Sequence, residues 1–283
     1  DINYRGVIYK SGSLTIKEGV ANDPSAYSYA GTVFNTGTFN LEGGSLTGLA
    51  GLNNHQYGAA VTSSGKFLMS GGSIRDSNGN SAVLITGEAS TFRMTGGTIN
   101  GNNATSVLGS KFNIAMSGGG VLVRSGGSFT MDGGVISGNI SYMGAGVGVD
   151  GSSSVFTMDG GSITGNTARG NDHENSVNEN NACGGGVGVY DGGTFNMNGG
   201  SITGNIAKIE YESDDMMNNR THEEFNFTGL GGAVFVLTGT VNIKGGSISD
   251  NVAGTDDNYG FGGFGGGICV YDPNNTSVRG RSV

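Results

Sequence analysis

The side chains able to ligate, recognise or protonate something are bunched in this chain rather than spread along it. His173, Glu174, Glu179, Glu210, Glu212, Asp214, Asp215, His222, Glu223, Glu224, Asp256 and Asp257 all fall in three polar stretches of the C-terminal half. Carboxylates and imidazoles gathered in this way suit hard, oxygen-rich ligation of a divalent cation. They equally suit polar recognition of a glycan or a protein. Calcium loops carry a fixed spacing such as D-x-[DN]-x-[DN]-G, and neither that nor the GGxGxDx nonapeptide of calcium-binding β-rolls occurs here. The reading is therefore of ligand-binding loops with no metal assigned and no cofactor required, Ca2+ being the ion that these acidic loops would hold. The bland alternative is a set of solvated polar loops.

Composition narrows the partners. With 14 basic residues, 23 acidic ones and a formal net charge of −9, the chain is a poor match for nucleic acid or an anionic membrane surface. It contains no run of 18 apolar residues, so no inserted membrane span is expected in this segment. Gly 58 against Pro 2 is an unusual balance. The glycines lack a G-X-Y period and recur at fixed offsets, which excludes collagen and argues against disorder. The chain opens at Asp1 without Met or a signal-like segment and reads as processed or partial.

What must position the loops is a repeat. The unit Phe-x-Met-x-Gly-Gly-Ser-Ile-Thr-Gly-Asn appears as FTMDGGVISGN from Phe129, FTMDGGSITGN from Phe156 and FNMNGGSITGN from Phe195, with weaker copies from Leu14, Phe39, Phe67, Phe92 and Val241. The first Gly of each pair falls at Gly43, Gly71, Gly96, Gly133, Gly160, Gly199 and Gly245, spacings of 28, 25, 37, 27, 39 and 46. A unit of about 25 residues thus carries insertions of unequal length. Within a unit the apolar residues alternate, as in Val187/Val189, Phe156/Met158 and the flanked Ile163, and a period of two means strand. Three short strands per unit, parted by Gly-rich corners, give an all-β fold: a right-handed parallel β-helix of about eight to nine coils, with lateral insertions at one corner. Residues 1–283 form one such domain, expected to belong to a longer chain or an end-to-end assembly. Gly6–Tyr9 opens inside a coil, and Thr276–Gly280 would begin another. Such edges favour strand addition, hence possible partners among further copies of the chain.

The Asn closing each unit, Asn102, Asn139, Asn166, Asn205 and Asn251, forms one column. Stacked at a corner, these carboxamides would donate and accept along the axis, a structural ladder without catalytic duty. Insertions are expected between this Asn and the next Val-x-Val strand, at Asn103–Ser117, Thr167–Cys183, Ile206–Leu230 and Val252–Phe264, with shorter ones at Ala21–Tyr29 and Leu49–Gly58. Cys183 and Cys269 lie two units apart, about 10 Å by strand spacing, beyond disulfide reach, and are expected as free thiols. Glycosylation sequons in the expected insertions begin at Asn103, Asn219 and Asn226.

The segment GGGVGVYDGGTFNMNGGSITGN, from Gly184 to Asn205, and its copies along nearly the whole chain resemble adhesin-like surface proteins of the pectate-lyase-like superfamily. GGAVFV at Gly231 is similar to the GGAI-type repeat of polymorphic autotransporter passengers, whereas their FxxN repeat is replaced by Ile-x-Gly-Asn. The resemblance implies a secreted or cell-surface, extracellular passenger that binds host or neighbouring-cell glycans or proteins.

Two other classes were weighed. A polysaccharide lyase or glycoside hydrolase needs carboxylates at a defined separation. The outward positions of the Val-x-Val strand are Leu122, Gly148, Gly188, Phe235 and Cys269, which offer no acid or base, and Asp150, Asp191 and Asp272 occupy turns. Arg124 with Asp150 and Tyr190 reads as a surface ion pair, so no catalytic residue is assigned. Hydroxyls flanking the Ile column resemble ice-binding faces, but Arg75, Asn100 and Val135 interrupt them. Asp132 and Asp159 stack in neighbouring coils, where like charges need screening.

Overall fold

In the computed structural model the chain is a parallel β-helix. The structure describes residues 8–10, 13–16, 32–47, 60–105, 118–171, 182–210, 229–255 and 263–271. Each strand pairs in parallel with its counterpart one coil later, which builds nine-, eight- and seven-stranded sheets wound around a common interior. The first sheet collects the Val-x-Val strands, such as Val187–Tyr190; the second collects Phe-x-Met, such as Val155–Met158; the third collects the Ile strands, such as Ser162–Thr164.

Register follows the repeat residue for residue: Phe156 sits on Phe195, Met158 on Met197, Ile163 on Ile202 and Val149 on Val189. Every one of these is fully buried. Strand spacing places like residues about 4.8 Å apart, which for a ring is within stacking range. Phe39, Phe67, Phe92, Phe129, Phe156 and Phe195 accordingly form one column with centroids 4.8, 4.4, 4.5, 4.8 and 5.0 Å apart.

The Gly-Gly corner needs both glycines for different reasons. A Cβ on Gly160 would lie 2.3 Å from the Asp132 carbonyl oxygen of the coil before, so the first glycine lets coils approach. The second, Gly161, adopts φ 83°, which a side chain strains. A further left-handed residue precedes each ladder Asn, at φ values of 58° to 64° for Gly101, Gly138, Gly165, Gly204 and Asp250, and Asp76 at 53° holds the same place before Ser77.

The ladder is present and continuous. The backbone N–H and the Nδ2 of Asn139 both donate to Oδ1 of Asn166, at 3.0 and 2.9 Å, and Asn166 repeats the pattern onto Asn205. Asn102 and Asn205 do the same onto Asn139 and Asn251. Each Nδ2 also donates to an Ile carbonyl of the coil below, as Asn166 does to Ile136 at 3.0 Å. Four of the five side chains are completely buried, and Asn251 is half-buried. These hydrogen bonds satisfy corner groups that would otherwise be stranded out of water.

Two expectations are corrected. The coils from Ile140 onward carry a fourth strand after the Asn: Ile140–Ser141, Thr167–Asn171, Ile206–Glu210 and Val252–Thr255 pair in register as a four-stranded sheet. The insertions therefore do not begin at Thr167, Ile206 and Val252 but beyond Asn171, Glu210 and Thr255. Ala168 and Ala207 are buried there, small enough for this extra sheet to lie close against its neighbours.

Candidate functional site: the insertion-bearing flank

The insertions of the C-terminal half leave the scaffold side by side. Asn171 pairs with Glu210 and Ile209 with Thr255, so three segments depart from adjacent strands. They return equally aligned: Met143 bridges Cys183, Ala182–Cys183 pairs with Gly229–Leu230, and Leu230 bridges Phe264. Both stems of each insertion are thus fixed at the strand spacing of about 4.8 Å. Between the stems, residues 172–181, 211–228 and 256–262 contain ten carboxylates against one cation, Arg220. They hold the whole formal excess of −9, and the rest of the chain balances thirteen acids with thirteen bases.

His173, Glu174, Glu179, Glu212, Asp214, Asp215, His222, Glu223, Glu224, Asp256 and Asp257 lie outside the described residues. So do His55, Asp172, Asp272, Thr276–Gly280 and the sequons at Asn219 and Asn226. Glu210 closes its strand in register with Asn171. The sequon at Asn103 is described: the Thr105 hydroxyl donates to Asn103 Oδ1 at 2.7 Å, and the Thr105 N–H does so at 3.0 Å. Among the described residues no group of three or more His, Cys, Asp or Glu side chains is arranged to hold a metal ion.

The return stems rest on a second, small core that the sequence reading missed. Leu122, Gly148, Gly188 and Phe235 do point away from the coil interior, yet all are buried. Tyr190, expected at the surface beside Arg124, is also completely buried. Its ring folds back over Gly188, where a Cβ would lie 1.9 Å from the Tyr190 hydroxyl oxygen. That hydroxyl donates to the Cys183 carbonyl at 3.4 Å, a long bond. Tyr190 and Phe235 meet with ring centroids 6.0 Å apart at 43°. Cys183 and Leu230 from the stems complete the cluster, and Met143, Leu237, Phe264 and Cys269 pack against it. The two cysteines are free thiols, as expected. Burial raises the pKa of each, and the neighbouring Cys269 raises that of Cys183 further, which makes both poor nucleophiles.

Beside this core, Arg124, Asp150 and Tyr190 occupy one column of the first sheet. The expected surface ion pair is not what forms: among the described residues the salt bridges are Arg75–Asp76 and Arg93–Asp132. Burial raises the pKa of Asp150, with Asp191 adding to the rise and Arg124 opposing it. Burial also lowers that of Arg124. This corner combines the half-buried Asp150 and Arg124, the exposed Asp191 and the buried phenol of Tyr190.

In the Asp132 and Asp159 column, Asp132 is neutralised by an arginine and Asp159 accepts an amide hydrogen bond. Arg93 donates to Asp132 Oδ2 at 2.8 Å from the outward face of the second sheet, and Asn198 donates to Asp159 Oδ1 at 2.8 Å. Arg93 and Asp132 are 39 residues apart in sequence, so only the register, placing position 93 one coil below position 130, could have revealed the pair. The hydroxyl columns of the third sheet stand outward, half-buried, with Ser201 donating to Ser162 at 3.2 Å.

No family model, curated protein or solved structure matches this chain.

Proposed function

We propose that this protein is an extracellular, adhesin-like surface protein in which the β-helix is a stiff spacer and the acidic flank makes the contact. The observation that carries this reading is the in-register departure and return of three adjacent insertions, whose intervening residues contain the entire net charge of the chain. Loops on a rigid framework are where recognition is generally placed. An excess of carboxylates favours a partner with cationic groups, or a glycan or protein held through a bridging divalent cation such as Ca2+. The likeness of the repeat to surface passengers agrees with this assignment. The test is a screen of glycan and extracellular-matrix arrays with the intact chain and with a variant in which the ten loop carboxylates become amides. Loss of a hit in the variant, and its weakening by salt or chelator, supports the reading; a hit indifferent to the substitution removes it.

A second reading is a polysaccharide-active enzyme, favoured by the raised carboxyl of Asp150 beside Asp191 and Arg124. New reducing ends or unsaturated products from uronate-containing polysaccharides, abolished by Asp150→Asn, would support it over the first.

A further inference from the structure

The cluster of Tyr190, Phe235, Cys183 and Leu230 is separate from the coil interior: the first sheet's backbone lies between them, and the two sets of buried side chains share no member. The interior runs the length of the molecule, whereas the outer cluster has four fully buried members drawn from two neighbouring coils and their stems. Stem hydrogen bonds link the levels, from Cys183 N–H to the Tyr142 carbonyl at 3.2 Å, Gly184 N–H to Leu230 at 2.9 Å and Gly231 N–H to Phe264 at 2.9 Å. The aromatic pair ties those levels together from the side, since Tyr190 belongs to one coil and Phe235 to the next. The glycine at position 188 is what admits the Tyr190 ring.

We infer that this outer cluster is a cooperative unit of its own, which holds the return stems of the three insertions as one block and opens without unfolding the coil. Tyr190 and Phe235 are its positioning residues. Small units with few buried contacts open at lower free energy than the main core, and the binding flank would then be oriented by a structure distinct from the one that keeps the molecule folded. The inference goes beyond the adhesive reading and does not depend on it, because its test requires no ligand.

Hydrogen exchange of the full chain, resolved by residue, decides the matter. Tyr190→Ala should speed exchange at Cys183, Gly184 and Gly231 by at least about tenfold, leaving Val189, Phe195 and Ile202 unchanged. Tyr190→Phe keeps the ring and loses only the long hydroxyl bond, so it should restore wild-type exchange. Phe235→Leu, a milder change that avoids a large cavity, should speed Gly184 and Gly231 together, although they belong to different coils. Unchanged stem exchange in Tyr190→Ala would overturn the inference. So would equal acceleration in the interior, which would make the cluster an ordinary part of the coil. If Phe235→Leu loosens only its own stem, the claim of a single block is wrong.

Discussion

The molecule has two cores built by opposite rules. In the interior of the central coils the same residue recurs at a position coil after coil, because parallel in-register pairing stacks like on like and one good contact is then made many times. In the outer column the residue changes along the axis: Leu122, Gly148, Gly188 and Phe235 share it and, the two adjacent glycines apart, differ in size from nothing to a phenyl ring. Bulk leans over absence within a single strand, as Tyr190 does over Gly188. The difference teaches that repetition serves length and stiffness, while the one place that abandons repetition is the place where insertions are held.

The contrast is broken most severely from the inside. Phe156→Ala removes one ring from a closed column and should destabilise the protein by about 3–5 kcal/mol in chemical denaturation; a loss under 1 kcal/mol would mean that the stack carries little of the stability. Asn166→Leu keeps volume but strands the Ile136 carbonyl and the Asn139 N–H, and should cost about 1–3 kcal/mol. Gly188→Ala should cost a comparable amount or less, about 1–3 kcal/mol, and its damage should appear as loosened stems rather than a melted coil. If thermal melting of Gly188→Ala matches that of Phe156→Ala, the two cores are not separable.

Acid–base behaviour sharpens the comparison further, since among the described residues no charged side chain is buried in the interior, whereas the outer corner carries charge. The pKa of Asp150 is raised by folding, so its contribution to stability is greatest below the ordinary carboxylate range and is lost as pH climbs through the elevated folded value. Asp150→Asn should therefore gain melting temperature relative to wild type as pH is taken from about 4 to 7; a constant gap across that range would contradict the assignment. The smallest effect belongs to the solvated face. Thr164→Ala should stay within about 0.5 kcal/mol of wild type, and an effect as large as that of Asn166→Leu would reverse the assignment of inside and outside.

The same contrast explains what could be read from the sequence. Phe156, Met158, Ile163, the Gly160–Gly161 corner and Asn166 recur at fixed offsets, so the coil, its register and its ladder were all legible. The fourth strand was not: Thr-Ala-Arg, Ile-Ala-Lys and Val-Ala-Gly share only an alanine, too weak a pattern to separate from an insertion. Tyr190 was misplaced because alternation correctly points it outward, and nothing in a period of two says that outward is covered. The covering residues Cys183, Leu230 and Phe264 arrive from other segments at unequal distances in sequence. The visible clue was Gly188 next to the bulky Tyr190, a vacancy beside something able to fill it. For the acidic segments, the stem register supplies an adjacency of their ends that no local motif carried.

The corner built from a close-approach glycine, a left-handed residue and a ladder asparagine has the same geometry in coils whose lateral segments differ greatly in length. The coil is consequently a graduated ruler. Adding or removing one whole unit below them would slide the insertion stems along the axis by about one strand spacing, 4.8 Å, and leave the pairing between the stems unaltered. The length of the coil and the sequence of the segments between the stems can therefore vary independently, the first by counting units and the second by rewriting residues that the coil does not use.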